Sequence, residues 1–212
     1  IIEAEQCYMQ VISIDPNHYN AFYNLAIVQT RLGKIEEAKK NYQQAILLNP
    51  NFLSAKYMLS SLTGESQPSS APKEYIEGLF NNFADHYENL MIEKLEFKVP
   101  GIIRKIILDN SESHLGSLID LGCGTGLFGK EIQSFCHYLE GIDLSEKMLE
   151  IANKKNIYNQ LIQVDILEHL KNASLNFNYY VASDVLIYIG DLSDLLKLIK
   201  SRNQSRGKLV FS

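Results

Sequence analysis

The stretch Leu118-Ile-Asp-Leu-Gly-Cys-Gly-Thr-Gly126 decides how the chain is read. Leu118 to Leu121 has the apolar character of a buried strand. Gly122, Gly124 and Gly126 let the backbone turn tightly and approach a ligand with no Cβ in the way. A helical pattern, Leu127 to Phe135, opens directly after them. Strand, glycine turn and helix in this order build a corner at a strand's carboxyl end. In open α/β sheets that is where ligands bind.

Outward from this corner the alternation continues. Further strands are expected at Tyr138–Ile142, Leu161–Val164, Tyr179–Ala182 and Lys208–Phe211. Helices are expected between them at Glu146–Lys154, Ile166–Lys171 and Leu192–Lys200, with Ser145 as an N-cap for the first. Upstream, Lys73–Tyr87 places Ile76, Leu79, Phe80, Phe83 and Tyr87 on one side of a helix, and Pro100 suits the start of another, Gly101–Leu108. The pattern predicts an α/β domain with a doubly wound parallel sheet covered on both faces. Right-handed crossovers leave few topologies.

Two acids end the neighbouring strands. Asp143 closes the second, where it can accept both hydroxyls of a ribose. Asp165 closes the third, where the carboxylate or its neighbouring backbone can meet an adenine amino group. Two cofactors compete for this layout. Gly124, Gly126 and Gly129 satisfy GxGxxG, and Asp143 lies 19 residues after Gly124, a dinucleotide fingerprint. Asp120 argues against it, because it sets a carboxylate where a pyrophosphate would sit. S-adenosylmethionine carries no phosphate, and its ammonium and sulfonium suit an acid at that place.

The front of the chain repeats every 34 residues. Pro16 aligns with Pro50, Asn17 with Asn51, Ala4 with Ala38, Tyr8 with Tyr42, Ala21 with Ala55 and Tyr23 with Tyr57. Phe22, Leu25 and Ala26 share one helix face, and Ile35, Ala38, Tyr42, Ala45 and Ile46 another. Tyr19 to Pro50 resembles a tetratricopeptide repeat, with Gly33 at its turn and Gln29 where an aromatic is usual. Ile1–Asp15 then reads as the second helix of a preceding unit, and Leu53–Leu62 as the first helix of a following one. Such units bury their faces by stacking, about three at a time, so the array is expected to begin before Ile1. The resemblance implies a concave groove for a protein or peptide partner. The polar segment Thr63–Pro72, rich in Ser, Gly and Pro, marks a linker between residues 1–62 and 73–212.

Residues 73–212 resemble a class I S-adenosylmethionine-dependent methyltransferase. Asp120–Gly126 matches the family's glycine motif. Gly141-Ile-Asp-Leu-Ser145 matches the ribose-binding acid and the apolar residue after it. Val164-Asp-Ile166 matches the adenine-side motif, and Ala182-Ser-Asp-Val-Leu186 the loop after the fourth strand. Phe83-Ala-Asp-His-Tyr87 is similar to the helix that precedes the sheet in many small-molecule methyltransferases. The resemblance implies a Rossmann-like sheet of order 3-2-1-4-5 and S-adenosylmethionine as cofactor. It places Tyr87, Asp120, Gly122, Cys123, Gly124, Gly126, Asp143, Leu144, Met148, Asp165, Ile166 and Ser183 around that cofactor. It assigns no catalytic residue and no metal. The whole layout resembles bacterial methyltransferases with an N-terminal tetratricopeptide array. The family's sheet has two further strands after the fifth, so the domain is expected to be incomplete at its C-terminus.

Several of these residues have a second reading. Cys123 offers a small side chain beside the cofactor rather than a nucleophile, since no His/Asp partner is spaced for it. Met148 and Tyr87 either line the cofactor or fill the core. His86 is a surface histidine or a weak base, and Asp184 faces substrate or caps a turn.

Composition bounds the function. With 46% hydrophobic residues among 212, the chain can bury a core. No apolar run reaches the roughly 20 residues a membrane helix needs, and no secretory leader is visible. Cys7, Cys123 and Cys136 share no metal spacing, which suggests a reducing, cytoplasmic setting. The net charge is −5, with neither half basic, so nucleic acid is not an expected partner. The absence of an Asn-Pro-Pro-Tyr stretch after the fourth strand points away from amino-group methylation on bases. The expected function is methyl transfer to a small molecule or a protein. An interaction scaffold with an inactive cofactor domain and an NAD-dependent oxidoreductase are the alternatives.

Overall fold

The computed structural model describes residues 1–65, 70–111, 114–172, 176–202 and 207–212. Part of the expected linker, Ser66 to Ser69, lies outside the described residues. The chain divides into two compact units, Ile1–Tyr75 and Ile76–Ser212.

The first unit contains α1 (Ile2–Ile14), α2 (Tyr19–Arg31), α3 (Ile35–Leu48) and α4 (Leu53–Thr63). The His18 ring Nδ1 caps α2 by accepting the Ala21 amide at 3.2 Å. Ala26, Ala38, Tyr42, Ala45 and Ala55 are fully buried, so small residues bring the helices close around one tyrosine. Gln29 is buried where the repeat pattern has an aromatic, and its Oε1 accepts a hydrogen bond from Asn41 Nδ2 at 2.7 Å. That bond offsets the cost of burying an amide. Glu5, also buried, receives Lys34 Nζ on both carboxylate oxygens at 2.8 Å.

The second unit begins within α5 (Lys73–Glu88), which runs into a π-helical turn, Asn89–Lys94, and then α6 (Val99–Asp109). The alternating part follows as β1 (Ser117–Leu121), α7 (Leu127–Ile132), β2 (Tyr138–Asp143), α8 (Glu146–Lys154) and β3 (Gln160–Gln163). It continues as α9 (Ile166–Asn172), β4 (Tyr179–Ala182), α10 (Ser193–Arg202) and β5 (Lys208–Phe211). All strands pair in parallel in the order β3-β2-β1-β4-β5. Leu118, Ile119 and Leu121 of the central β1 are fully buried, each contributing about 1.5–3 kcal/mol through removal from water. Ile103 and Ile107 of α6 and Phe128 and Ile132 of α7 pack in one apolar cluster. Ile166 and Leu170 of α9 and Leu195 and Ile199 of α10 pack in the other.

Three local features differ from the periodicity reading. The helix after the glycine loop is α-helical only to Ile132 and tightens into a 3₁₀ turn over Gln133–Phe135. β3 lies one residue earlier than expected, although Val164 N still donates to the Asp143 carbonyl at 3.0 Å. The π turn over Asn89–Lys94 follows the expected helix and lies outside that reading, because a single turn is too short for its i→i+5 spacing to show as a periodic pattern. Among the described residues, no helix is long and apolar enough to cross a membrane, and no group of His, Cys, Asp and Glu is placed to hold a metal ion.

Candidate functional site

The glycine loop joins the carboxyl end of β1 to α7 and lies beside the carboxyl end of β2. Gly122, Gly124 and Gly126 have φ of +70°, +53° and +85°, a backbone region that side chains with a Cβ rarely adopt. At Gly122 space adds a second constraint, since a Cβ would lie 2.4 Å from Val185 Cγ2. At Gly124 an added Cβ would meet nothing within 4 Å among the described residues, so the crest of the loop faces open space. The loop is tied to β2 through Cys123 N, which donates to the Ile142 carbonyl at 2.9 Å.

Asp143 organises this crest. One carboxylate oxygen accepts the Gly124 amide and the other the Ser145 amide, each at 2.8 Å. Burial pushes its carboxyl above the ordinary carboxylate range, and the backbone hydrogen bonds oppose that rise. A carboxylate offers about four lone-pair sites, so acceptor capacity remains for a ligand hydroxyl. Ser145 Oγ accepts the Met148 amide at 3.2 Å and donates to Asn81 Oδ1 of α5 at 2.7 Å. The N-cap of α8 is thereby fastened to α5.

Asp120 sits deeper, 1% exposed. Its Oδ2 accepts the Tyr158 hydroxyl at 2.6 Å, whereas Oδ1 is buried with no hydrogen-bond partner among the described residues. Burial pushes this carboxyl up to about 7. The Tyr158 hydrogen bond works against that rise, and nearby Asp143 adds to it. A buried carboxylate oxygen without a donor is costly unless a ligand supplies one. The Cys123 thiol is pushed well above its ordinary value by burial, followed by Asp120 and Asp143. A thiol held in this way is a poor nucleophile.

The remaining expected site residues fall into two groups. Tyr87 of α5 is half-buried, with its ring edge-on to Phe80 and Phe83 at centroid distances of 6.5 and 6.0 Å. Burial pushes its hydroxyl up to about 12, and Asp184, Tyr188, Asp143 and Asp120 push in the same direction. Tyr87 therefore shares its surroundings with the acids of the loop. Leu144 is half-buried beside Asp143, and its carbonyl accepts Gln163 Nε2 at 3.1 Å. Ser183, also half-buried, directly follows β4. Met148 is 1% exposed and Ile166 8%, and both side chains are interior. Asp165 Oδ1 accepts the Glu168 amide at 3.0 Å and caps α9. His86 is exposed.

Three contributors escape sequence reasoning. Asn81 fastens α5, as above. Lys155 Nζ donates to the Thr125 carbonyl of the loop at 2.7 Å and pairs with Glu88. Tyr158 supplies the donor to Asp120. None has a motif or a spacing that announces it.

Comparison with known proteins bears on this geometry. Residues 119–211 match the family model of a methyltransferase domain. Residues 1–18 and 19–52 match tetratricopeptide repeat models. The chain is therefore similar to tetratricopeptide repeats at its front and to a methyltransferase domain in its second part. That domain is 28% identical over 95 residues to malonyl-(acyl-carrier protein) O-methyltransferase of Erwinia pyrifoliae, covering 45% of this chain and 36% of the relative. It is 26% identical over 98 residues to ubiquinone biosynthesis O-methyltransferase of Coxiella burnetii, covering 45% and 42%. The chain thus spans less than half the length of these curated relatives. Its fold is similar to that of the DhpI–SAH complex, with a TM-score of 0.55 at 14% identity over 66% of this chain and 67% of that one. DesVI of Streptomyces venezuelae gives a TM-score of 0.51 at 23% identity, covering 60% and 56%. These structural likenesses agree with a Rossmann-like α/β fold for the second unit.

Proposed function

We propose that residues 73–212 bind S-adenosylmethionine over the glycine loop and direct methyl transfer to a small-molecule or protein acceptor, in the cytoplasm. The repeats in residues 1–62 engage a protein partner, and residues 63–72 link the two. The observation that carries this reading is the pairing of an open, positive-φ glycine crest with a buried Asp120 oxygen that has no donor among the described residues. Both fit a ligand that brings a cation and needs close backbone approach. The match to a methyltransferase domain and the relatives named as O-methyltransferases support it.

When bound, S-adenosylmethionine supplies a methyl group on a sulfonium that is already an activated leaving group. The chain's residues then have to bind and orient. Asp143 would hold the ribose hydroxyls through its remaining lone pairs. Leu144, Asp165 and Ile166 would border the adenine, Ile166 chiefly through its backbone, as its side chain is interior. Asp120 would offset the cofactor's positive charge, and Tyr87 with Phe80 and Phe83 would shield that end from water. Orientation is the main source of acceleration for such a displacement. A general base becomes useful for a hydroxyl acceptor and dispensable for a poised nitrogen or carbon.

The acceptor class is read by incubating the protein with methyl-labelled S-adenosylmethionine and fractionated extract. Label in a small-molecule or protein fraction is the expected result. No label, with cofactor binding intact and a protein captured through the repeats, would favour the scaffold reading. Binding of NADH in place of S-adenosylhomocysteine would move the domain to the oxidoreductases.

A further inference from the structure

Tyr158 lies in the turn between α8 and β3, outside every motif described above. Its ring occupies space that glycines on three separate elements leave open. A Cβ on Gly129 of α7 would lie 2.3 Å from the Tyr158 hydroxyl and 2.4 Å from Cζ. On Gly141 of β2 it would lie 2.9 Å from Cε1, and on Gly126 of the loop 3.1 Å from Cε2. Real Cβ atoms essentially never approach as closely as the first three of these distances, so the ring and the glycines form one fitted unit. The glycine that completes the GxGxxG pattern therefore has a local role: it admits a tyrosine.

The ring is also pinned from its own chain. Asn156, with φ of +52°, turns the backbone after α8, a conformation asparagine tolerates. Asn159 then locks onto β2. Its Oδ1 accepts the Leu139 amide at 2.7 Å, and its own amide donates to the Leu139 carbonyl at 2.8 Å. A hydroxyl held this rigidly delivers a fixed donor to Asp120 Oδ2 at 2.6 Å and leaves Oδ1 without a partner among the described residues.

We propose that Tyr158 is the positioning residue of the cofactor site, bracing the glycine loop with its ring and aligning the Asp120 carboxylate with its hydroxyl. The inference rests on the reading that this site takes S-adenosylmethionine. Tyr158 touches no reacting atom; it acts through Asp120. Among the described residues, the titratable groups that face Asp120 are Tyr158 itself, Asp143 from β2, Cys123 from the loop and Tyr87 from α5. None of them is a cation, so the tyrosine donor is what favours the ionised carboxylate, against burial.

The test is a calorimetric titration of S-adenosylhomocysteine, from pH 6 to 8.5, into the wild type and Tyr158→Phe, which keeps the ring. Wild-type affinity is expected to rise through about pH 7, as Asp120 ionises, and then level. In Tyr158→Phe the rise moves up by about one pH unit. The variant then binds about fivefold more weakly at pH 7 and nears wild type at 8.5. Coincident profiles overturn the inference, whatever the melting temperatures, because a ring that only fills space would not move the titration. If Tyr158→Phe does not fold, Tyr158→3-fluorotyrosine, which keeps the ring and makes the hydroxyl a stronger donor, replaces it: a rise displaced to lower pH supports the role, and a wild-type profile overturns it. If the wild type itself binds no S-adenosylhomocysteine, the cofactor reading fails. The Tyr158–Asp120 coupling is then read from melting temperature, whose fall with pH should extend to higher pH in Tyr158→Phe. An unshifted fall overturns the coupling.

Discussion

Asp120 meets two opposed demands. In the unfolded chain its carboxyl ionises near pH 4; in the folded chain burial moves this to about 7. Between those values the folded state holds a proton that the unfolded state has released. Stability is therefore intact below about pH 4, falls as pH rises, and bears the full penalty above about 7. That difference corresponds to ~4 kcal/mol against the ionised form. Asp120→Asn is expected to recover a few kcal/mol of it at pH 8 and almost none at pH 4, while weakening S-adenosylhomocysteine binding. Thermal melts at the two pH values check the sign. A variant less stable at pH 8 would mean that the carboxylate is stabilised by something beyond the groups described.

At the scale of elements, glycines in helices divide by what surrounds them. Gly78 in α5 has nothing within 4 Å of an added Cβ, so Gly78→Ala should stabilise by about 0.5–1 kcal/mol through backbone entropy alone. Gly129 in α7 faces the pinned Tyr158 ring, so Gly129→Ala should destabilise by about 1–3 kcal/mol despite the same propensity gain. Urea denaturation of the two variants checks the opposite signs. The contrast also explains what the sequence makes legible. Strands and helices of the second unit follow from apolar periodicity, and most expected boundaries fall within a residue or two of those observed. The glycine loop and Asp143 follow from a motif at the carboxyl end of a strand. Tyr158 does not, because it acts from a turn on an acid 38 positions away. Asn81 and Lys155 act across similarly long separations. Met148 and Ile166 show the reverse limit: helical spacing places each near the site but does not say whether its side chain points inward.

For the whole molecule, two units call for two separable responses. Ala38 is completely buried between the repeat helices. Ala38→Leu should cost about 1–3 kcal/mol by overpacking and act on the repeats alone. Circular dichroism should then show an earlier helical transition, with S-adenosylhomocysteine affinity unchanged. A parallel loss of affinity would mean that the units depend on one another. The 34-residue repeat is legible because stacking demands small residues at fixed places. The buried Gln29 is accommodated by Asn41, a compensation visible only when both side chains are seen together. The acceptor and the repeat partner are not written in any motif of the chain, since the fold hosts many chemistries.

The glycine crest held by Asp143 is the proposed seat of S-adenosylmethionine. Calorimetric titration with S-adenosylhomocysteine tests it most directly, with the wild type compared against Asp143→Ala and folding of both checked by circular dichroism. Micromolar binding by the wild type, abolished in the folded variant, is the predicted result. Undiminished binding by Asp143→Ala, or no binding by the wild type, would contradict the account.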